Sequence, residues 1–335
     1  MRRVTTVTSV RGAVAALHQR GQTIGFVATM GALHAGHLSL VRAAAEHTDA
    51  VVVSIFVNPL QFGPGEDYLS YPRPVERDEA ALLELGPATP SVLYTPTVAE
   101  MYPGWRPGTD RALDTAVSVR DLSDRLEGAS RPGHFDGVCT VVTKLLHQVQ
   151  PDVAVFGRKD HQQLVIIRRM VADLDIPVDV VAVPTVREAD GVAASSRNAY
   201  LEVADRNAAR CLSRGLAAAV EAARRARDAG QPPDPDVLRR AALGTIAAEP
   251  RARVDYVAVV DPDTLVPPDG STRGTGTGAS GRARGPGTGR RLRQERLLVA
   301  VAVHVGPARL IDNVVVGDHD DEERLVDAVG GAASA

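Results

Sequence analysis

Cysteine is nearly absent from this 335-residue chain: Cys139 and Cys211 are the only two, far apart and in no CxxC pair. That scarcity excludes a disulfide framework and a cysteine-built zinc site, and points to a reducing compartment with buried or incidental thiols. Long hydrophobic runs are missing too. No stretch approaches a transmembrane helix, and the opening MRRVTTVTSVRGAV has no long apolar core behind its arginines. The expectation is a cytoplasmic protein with no membrane partner. Nor does one sign of charge dominate: 38 basic and 41 acidic residues leave a formal net charge of −3, which gives no reason to expect a nucleic-acid partner. Lysine is the scarcest cation, present only as Lys144 and Lys159. A codon bias explains the abundant arginine without any function, yet a compact ammonium differs chemically from a planar guanidinium, so each lysine stands out.

What is present suffices for two domains, because 44% of the residues are hydrophobic. In the first half, strand-like runs at 23–28, 50–57, 91–94, 152–156 and 178–183 alternate with helical patterns at 37–46, 77–85, 138–148 and 161–173. Units of strand, helix and strand about thirty residues long predict an α/β fold, a Rossmann-like parallel sheet with flanking helices, over 1–185. Over 186–335 the pattern becomes a smaller C-terminal α+β lid domain, with helices at 204–229 and 236–248 and strands at 254–260 and 297–305. The Gly/Thr/Arg/Ser stretch at about 270–290 reads as a disordered insertion. Its GxGxxG match at Gly276, Gly278 and Gly281 is no dinucleotide fingerprint, since no strand precedes it and no helix follows. The arginines at 282–296 could touch RNA or phosphate, but a solvated loop is the preferred account.

The richest segment is TMGALHAGHLSLVR at 29–42, where a strand turns into a helix expected to begin near His37. Gly31 supplies the dihedral freedom of a tight exit. The first turn of the helix offers unpaired N–H groups and partial positive charge to an anion, and two imidazoles stand beside it. Gly36, lacking a Cβ, would let a base or ribose approach. A metal half-site and a merely polar helix start are the alternatives. No Cys or carboxylate stands at ligand spacing in the segment, and HxxH is not the HExxH of zincins.

Four segments stand in one order: TMGALHAGHLSLVR, FVNPLQFGPGEDYLSYPR, RPGHFDGVCTVVTKLLHQVQPDVAVFGRKDHQQL and DGVAASSRNAYL. Together they closely resemble the pantothenate synthetase (pantoate–β-alanine ligase) family of HIGH-motif nucleotidyltransferases, with HAGH at 34–37 matching that signature. The resemblance covers about 25–201 and resumes at RLIDN, 309–313. It implies that pantoate and ATP form an enzyme-bound pantoyl adenylate with loss of pyrophosphate, and that β-alanine then displaces AMP. It further implies Mg2+ held through the ATP phosphates, with no protein metal ligand assigned, and a homodimer.

By the same resemblance, ATP would meet Met30, His34, Gly36, His37, Gly157, Lys159, Asp160, Val186, Ser195, Ser196 and Arg197. Catalysis would rest on His37, Lys159, Ser195, Ser196 and Arg197, with Lys159 gripping phosphates and Asp160 accepting from ribose hydroxyls. The serine pair and Arg197 match a mobile loop that closes over the triphosphate. Gln61 and Gln163 would hold pantoate, since an amide both donates and accepts, and Met30 and Phe62 would wall its methyls. Asn58, Tyr71, Asp78, Arg131 and His134 match positions near the substrates, with Asp78 recognising the β-alanine ammonium or holding magnesium through water. Simpler roles compete: a surface lysine, a helix cap for Asp160, Asp78 or the serines, ordinary core for Met30 and Phe62. Arg158 and Ala194 depart from the acidic residue and the methionine usual in the family. Another HIGH-motif nucleotidyltransferase, or a non-catalytic nucleotide-binding protein, is the competing class, and pantoate-dependent pyrophosphate release separates them.

Overall fold

β-Branched runs of the first half align side by side as one parallel sheet. The computed structural model describes residues 1–105, 113–268 and 296–332, so the insertion reading at 270–290 lies outside the described residues. Two compact units result: Met1–Val186 with Ala194–Ser196, and Arg187–Ala193 with Arg197–Ala335.

The first unit runs β1 (Arg2–Val4), α1 (Val7–His18), β2 (Ile24–Thr29), α2 (Ala35–His47), β3 (Ala50–Ile55), α3 (Val75–Leu83) and β4 (Val92–Tyr94). Two short helices follow, α4 (Val98–Met101) and α5 (Glu127–Ser130), then α6 (His134–Val149), β5 (Val153–Gly157), α7 (His161–Asp173) and β6 (Asp179–Val183). Every strand pair is parallel, and the order is β1-β4-β3-β2-β5-β6. From β2 the chain builds outward through β3 on one side and β5 on the other. The order therefore reverses between β2 and β5, where an open α/β sheet leaves a crevice beyond its carboxyl ends.

Both faces of the sheet are covered, which explains the continuous apolar runs. Ile24 and Phe26 of β2, with Ala50 and Val52 of β3, join one core with α1, α6 and α7. The intervening Val27, Val51, Val53 and Ile55 enter a second core with Val41 and Ala44 of α2. Gly25 permits the contact with α2: a Cβ there would meet Thr48 Oγ1 at 2.5 Å.

The second unit contains α8 (Val203–Asp228), α9 (Pro235–Ala247), β7 (Ala252–Val260), β8 (Leu297–Val305), β9 (Ala308–Val316) and α10 (His319–Gly331). The strands form an antiparallel sheet ordered β7-β8-β9. Alanine-rich α8 lies close to α9, for a Cβ on Gly215 would meet Ile246 Cγ1 at 2.6 Å. A buried ion pair, Arg187 Nη1 to Asp312 Oδ2 at 2.7 Å, ties the start of the unit to β9, and Arg187 also donates to Gly191 O at 3.2 Å.

Several helices start one to four residues earlier than their patterns suggest, α3 at Val75 rather than 77 among them, and two of these starts bear on the site. The histidine helix begins at Ala35, with His34 as its N-cap residue and Leu38 N–H donating to His34 O at 3.1 Å. The helix expected from 138 begins at His134, because Gly133 turns the chain at φ +79° and Gly137 N–H already reaches Gly133 O. That extra turn has a steric requirement, since a Cβ on Gly137 would strike the Leu60 carbonyl and approach Gln61 N at 2.6 Å. Backbone cannot swing aside as a side-chain tip can. Gly137→Ala is therefore expected to lose about 1–3 kcal/mol of stability. Gly12→Ala, in α1 with nothing within 4 Å, should gain up to about 1 kcal/mol from helix propensity. Denaturant unfolding of both variants checks this, and equal effects would contradict the close approach.

Candidate active site

The exit from β2 is built from backbone and one carboxylate. Thr29 Oγ1 donates to Ser54 O at 2.8 Å and accepts from Gly31 N–H at 3.2 Å. Gly31 and Ala32 then take positive φ, +84° and +51°. Their turn presents the N–H groups of Ala32 and Leu33 to Asp78, whose two carboxylate oxygens accept them at 2.8 Å each. Asp78 is only 2% exposed, in the first turn of α3. Burial raises its pKa, opposed by the two backbone N–H groups. Each oxygen thus accepts one N–H of the turn, which gives Asp78 a structural role in holding the loop between β2 and α2.

Beyond that turn, His34 and His37 lie with ring centroids 4.0 Å apart and planes 37° from parallel. Gly36 serves the pair rather than merely leaving room for a ligand, because a Cβ there would press on the His34 imidazole at 3.0 Å. Desolvation, followed by the His34 field, drives the His37 pKa down to about 3. The ring is neutral at neutral pH, and its buried Nδ1 has no hydrogen-bond partner among the described residues.

The facing wall is the end of β5 and the 3-10 turn Arg158–Asp160 leading into α7. Lys159 Nζ stands 3.5 Å from Asp160 Oδ1. Asp160 occupies the N-cap position of α7 but its side chain makes no capping hydrogen bond, which removes the simple cap as its role. His34, Gly36, His37, Gly157, Lys159, Asp160, Gln163 and Val186 all line one cleft. Its apolar lining, Ala28, Leu40, Phe156 and Pro184 among it, was not singled out in the sequence. The signal was position, for Ala28 and Phe156 lie near the ends of the two strands that flank the order reversal.

Met30, Gln61, Phe62, Ser195 and Ser196 are not in that lining, and Arg197 belongs to the second unit. Gln61 ends a 3-10 turn, Pro59–Gln61, and its Nε2 donates to Met30 Sδ at 3.1 Å. Phe62 packs its ring 5.9 Å from that of Tyr71, whose hydroxyl meets Ser196 Oγ at 3.1 Å. Asn58 is buried and fully engaged, donating to Gln61 Oε1 and Gly137 O and accepting from Tyr102 and Leu60.

Arg131 is likewise occupied, with Nε and Nη2 on the Glu66 carboxylate at 2.7 and 2.5 Å and Nη2 also reaching Gln61 O at 3.2 Å. Burial pulls the Glu66 pKa upward, but the Arg131 hydrogen bonds and charge hold it below the usual range. Since a carbonyl can only accept, His134 Nδ1–H must donate to Gln61 O at 2.8 Å, leaving Nε2 to accept from Arg131 Nη1 at 3.2 Å. Desolvation, then the Arg131 charge, lowers the His134 pKa to about 4. Tyr102 lies outside every motif segment, and Glu66 stands inside one without a role being read for it, because its partner Arg131 is distant in sequence.

A crevice at the order reversal, entered by a glycine turn and lined by imidazoles, a lysine and a carboxylate, defines a nucleotide-binding α/β protein. The chain belongs to the pantoate–β-alanine ligase family: the model described as Pantoate-beta-alanine ligase matches residues 2–315. A pantothenate synthetase of Agrobacterium fabrum is 47% identical, covering 97% of this chain and 99% of its own length. The crystal structure of pantothenate synthetase from Thermus thermophilus aligns with TM-score 0.76 and 44% identity, over 94% of this chain and 99% of that one. The Francisella tularensis pantoate-β-alanine ligase, complexed with β-γ ATP and β-alanine, aligns with TM-score 0.65 and 30% identity, over 93% and 97%. The family match thus extends beyond the motif-bearing 25–201.

The two neutral histidines make stability depend on pH. Both folded pKa values lie below the ordinary 6.5, so the unfolded chain binds more protons as pH falls from 6.5 toward 4. Their contribution is complete above pH 6.5 and is lost on acidification, by up to about 1.4 kcal/mol per pH unit for each ring. Denaturant unfolding between pH 7 and 5 should show falling stability, with a flatter slope in His134→Gln. A flat profile in the parent protein would contradict the buried neutral assignment.

Proposed function

We propose that this protein condenses pantoate with β-alanine to pantothenate, using ATP and releasing AMP and pyrophosphate through an enzyme-bound pantoyl adenylate. The observation that carries the reading is the convergence of His34, His37, Lys159 and Asp160 in one cleft at the β2/β5 reversal. Family membership and the relative complexed with β-γ ATP and β-alanine support it.

In the first step the pantoate carboxylate oxygen bonds to the α-phosphorus while the bond to the pyrophosphate oxygen breaks. Such displacement needs alignment and charge neutralisation more than a covalent nucleophile. Lys159 and the N–H groups opening α2 supply fixed donors for the phosphates. His34 and His37 act as nucleotide ligands, and the Nδ1 of His37 awaits a partner. With a pKa near 3 before ATP arrives, His37 is no proton store. A triphosphate beside it would draw that pKa upward.

Asp160 accepts from the ribose hydroxyls near Gly157, with Val186 and Met30 completing the nucleotide site. Gln61 and Gln163 bind pantoate, and Met30 and Phe62 face its methyls. Ser195, Ser196 and Arg197 close over the triphosphate as part of a lid. In the second step the uncharged β-alanine amine bonds to the acyl carbon, the bond to AMP breaks, and the amine loses a proton. Mg2+ arrives as the counterion of ATP. The cleft lining contains a single carboxylate, Asp160, which fits a cation held chiefly by phosphate oxygens. The working form is a cytoplasmic homodimer.

Lys159→Ala and His37→Ala should each cut pantoate-dependent pyrophosphate release by about 100-fold or more while circular dichroism stays that of the parent. Activity close to the parent in both variants would contradict the phosphate assignment.

A further inference from the structure

A hydrogen-bond relay behind Gln61 decides which end of its amide faces the substrate. Two backbone groups remove the usual ambiguity of the Asn58 amide. Leu60 N–H can only donate, so its partner at 3.3 Å is Asn58 Oδ1; Gly137 C=O can only accept, so the atom 3.1 Å away is Nδ2. The Tyr102 hydroxyl donates to the same Oδ1 at 2.8 Å, the shorter of its two bonds. The remaining Nδ2 proton then lies on Gln61 Oε1 at 3.0 Å. With its oxygen taken, Gln61 turns its NH2 group toward Met30 Sδ at 3.1 Å. A thioether is a weak acceptor that a substrate oxygen can displace.

The relay is rigid at both ends. Tyr102 is fully buried, its ring edge-on to Phe56 at 5.8 Å and beneath the Lys144 ammonium at 5.8 Å. The Gln61 carbonyl is clamped by His134 and Arg131. We propose that Tyr102 is a positioning residue for the acid substrate: together with the Leu60 and Gly137 backbone groups it holds Asn58 in the orientation that makes the Gln61 amide a donor, so the ligand group at Gln61 must be a hydrogen-bond acceptor. The inference rests on the ligase function proposed above and adds a residue outside every substrate-binding motif.

Steady-state kinetics of pantoate-dependent pyrophosphate release test it with Tyr102→Phe. The KM for pantoate should rise about five-fold or more, with the KM for ATP within about two-fold of the parent. Tyr94→Phe is the control, because that equally buried hydroxyl donates to Gln148 Oε1 instead, and its pantoate KM should match the parent. In a Gln61→Ala background, Tyr102→Phe should add nothing further, as two members of one relay are not additive. Asn58→Asp is the second arm: a carboxylate only accepts, so Gln61 must turn its oxygen outward and pantoate KM should rise even if Tyr102→Phe proves too unstable to assay. Unchanged pantoate KM in the folded Tyr102→Phe or Asn58→Asp enzyme, or a Tyr102→Phe effect of the same size with Gln61→Ala, overturns the relay. If the parent itself releases no pyrophosphate with pantoate, the proposed function fails and the inference falls with it.

Discussion

The carboxylate of Asp78 holds the N–H groups of Ala32 and Leu33, and the placement of the histidines depends on that grip. A chain leaving a parallel strand at positive φ exposes backbone donors that no sheet neighbour can satisfy. Leaving two such half-buried donors unpaired would cost up to about 1–3 kcal/mol each. One ionisable side chain resolves both, and it comes from α3, about forty-five residues further along. Room is tight enough that a Cβ on Gly31 would approach Asp78 Oδ2 at 3.0 Å. With the turn fixed, α2 starts at Ala35, His34 stands at its N-cap and His37 in its first turn, and both line the cleft with Phe156 and Gly157 of β5.

The second half of the site follows a similar logic with neutral groups. Gly137 lets the turn Pro59–Gln61 lie against α6, and Asn58, Tyr102, His134 and Arg131 then saturate that turn from behind. What remains for a ligand is set by what the interior has already claimed. Both site regions keep histidine neutral through burial, so donors and acceptors are defined before any substrate arrives. Such preorganisation is what adenylation demands, since its chemistry is mainly alignment and charge neutralisation.

Periodicity made much of the fold readable. Helix α7 and strand β8 have the bounds their apolar patterns give, and the six-stranded sheet follows from repeated strand–helix units. Six elements escaped, among them the four-residue helices α4 and α5, too short to show a period. β1 has three residues, two of them arginine, and exists because it pairs with β4. α1 carried a legible sign in its Thr6–Ser9 capping box, and β9 and α10 were passed over although β8 before them was read. In the site, motif residues were visible because chemistry requires their types at fixed spacing. Asp78, Tyr102 and Glu66 act by reaching residues far away in sequence, and no local pattern encodes such a contact.

The proposed ligase reaction requires that pantoate be adenylated in the cleft of His34, His37 and Lys159 before the amine takes part. Exchange of labelled pyrophosphate into ATP with β-alanine omitted measures that step alone. Exchange that requires pantoate and proceeds without β-alanine is the predicted result. No exchange until β-alanine is added, or exchange indifferent to pantoate, would contradict it.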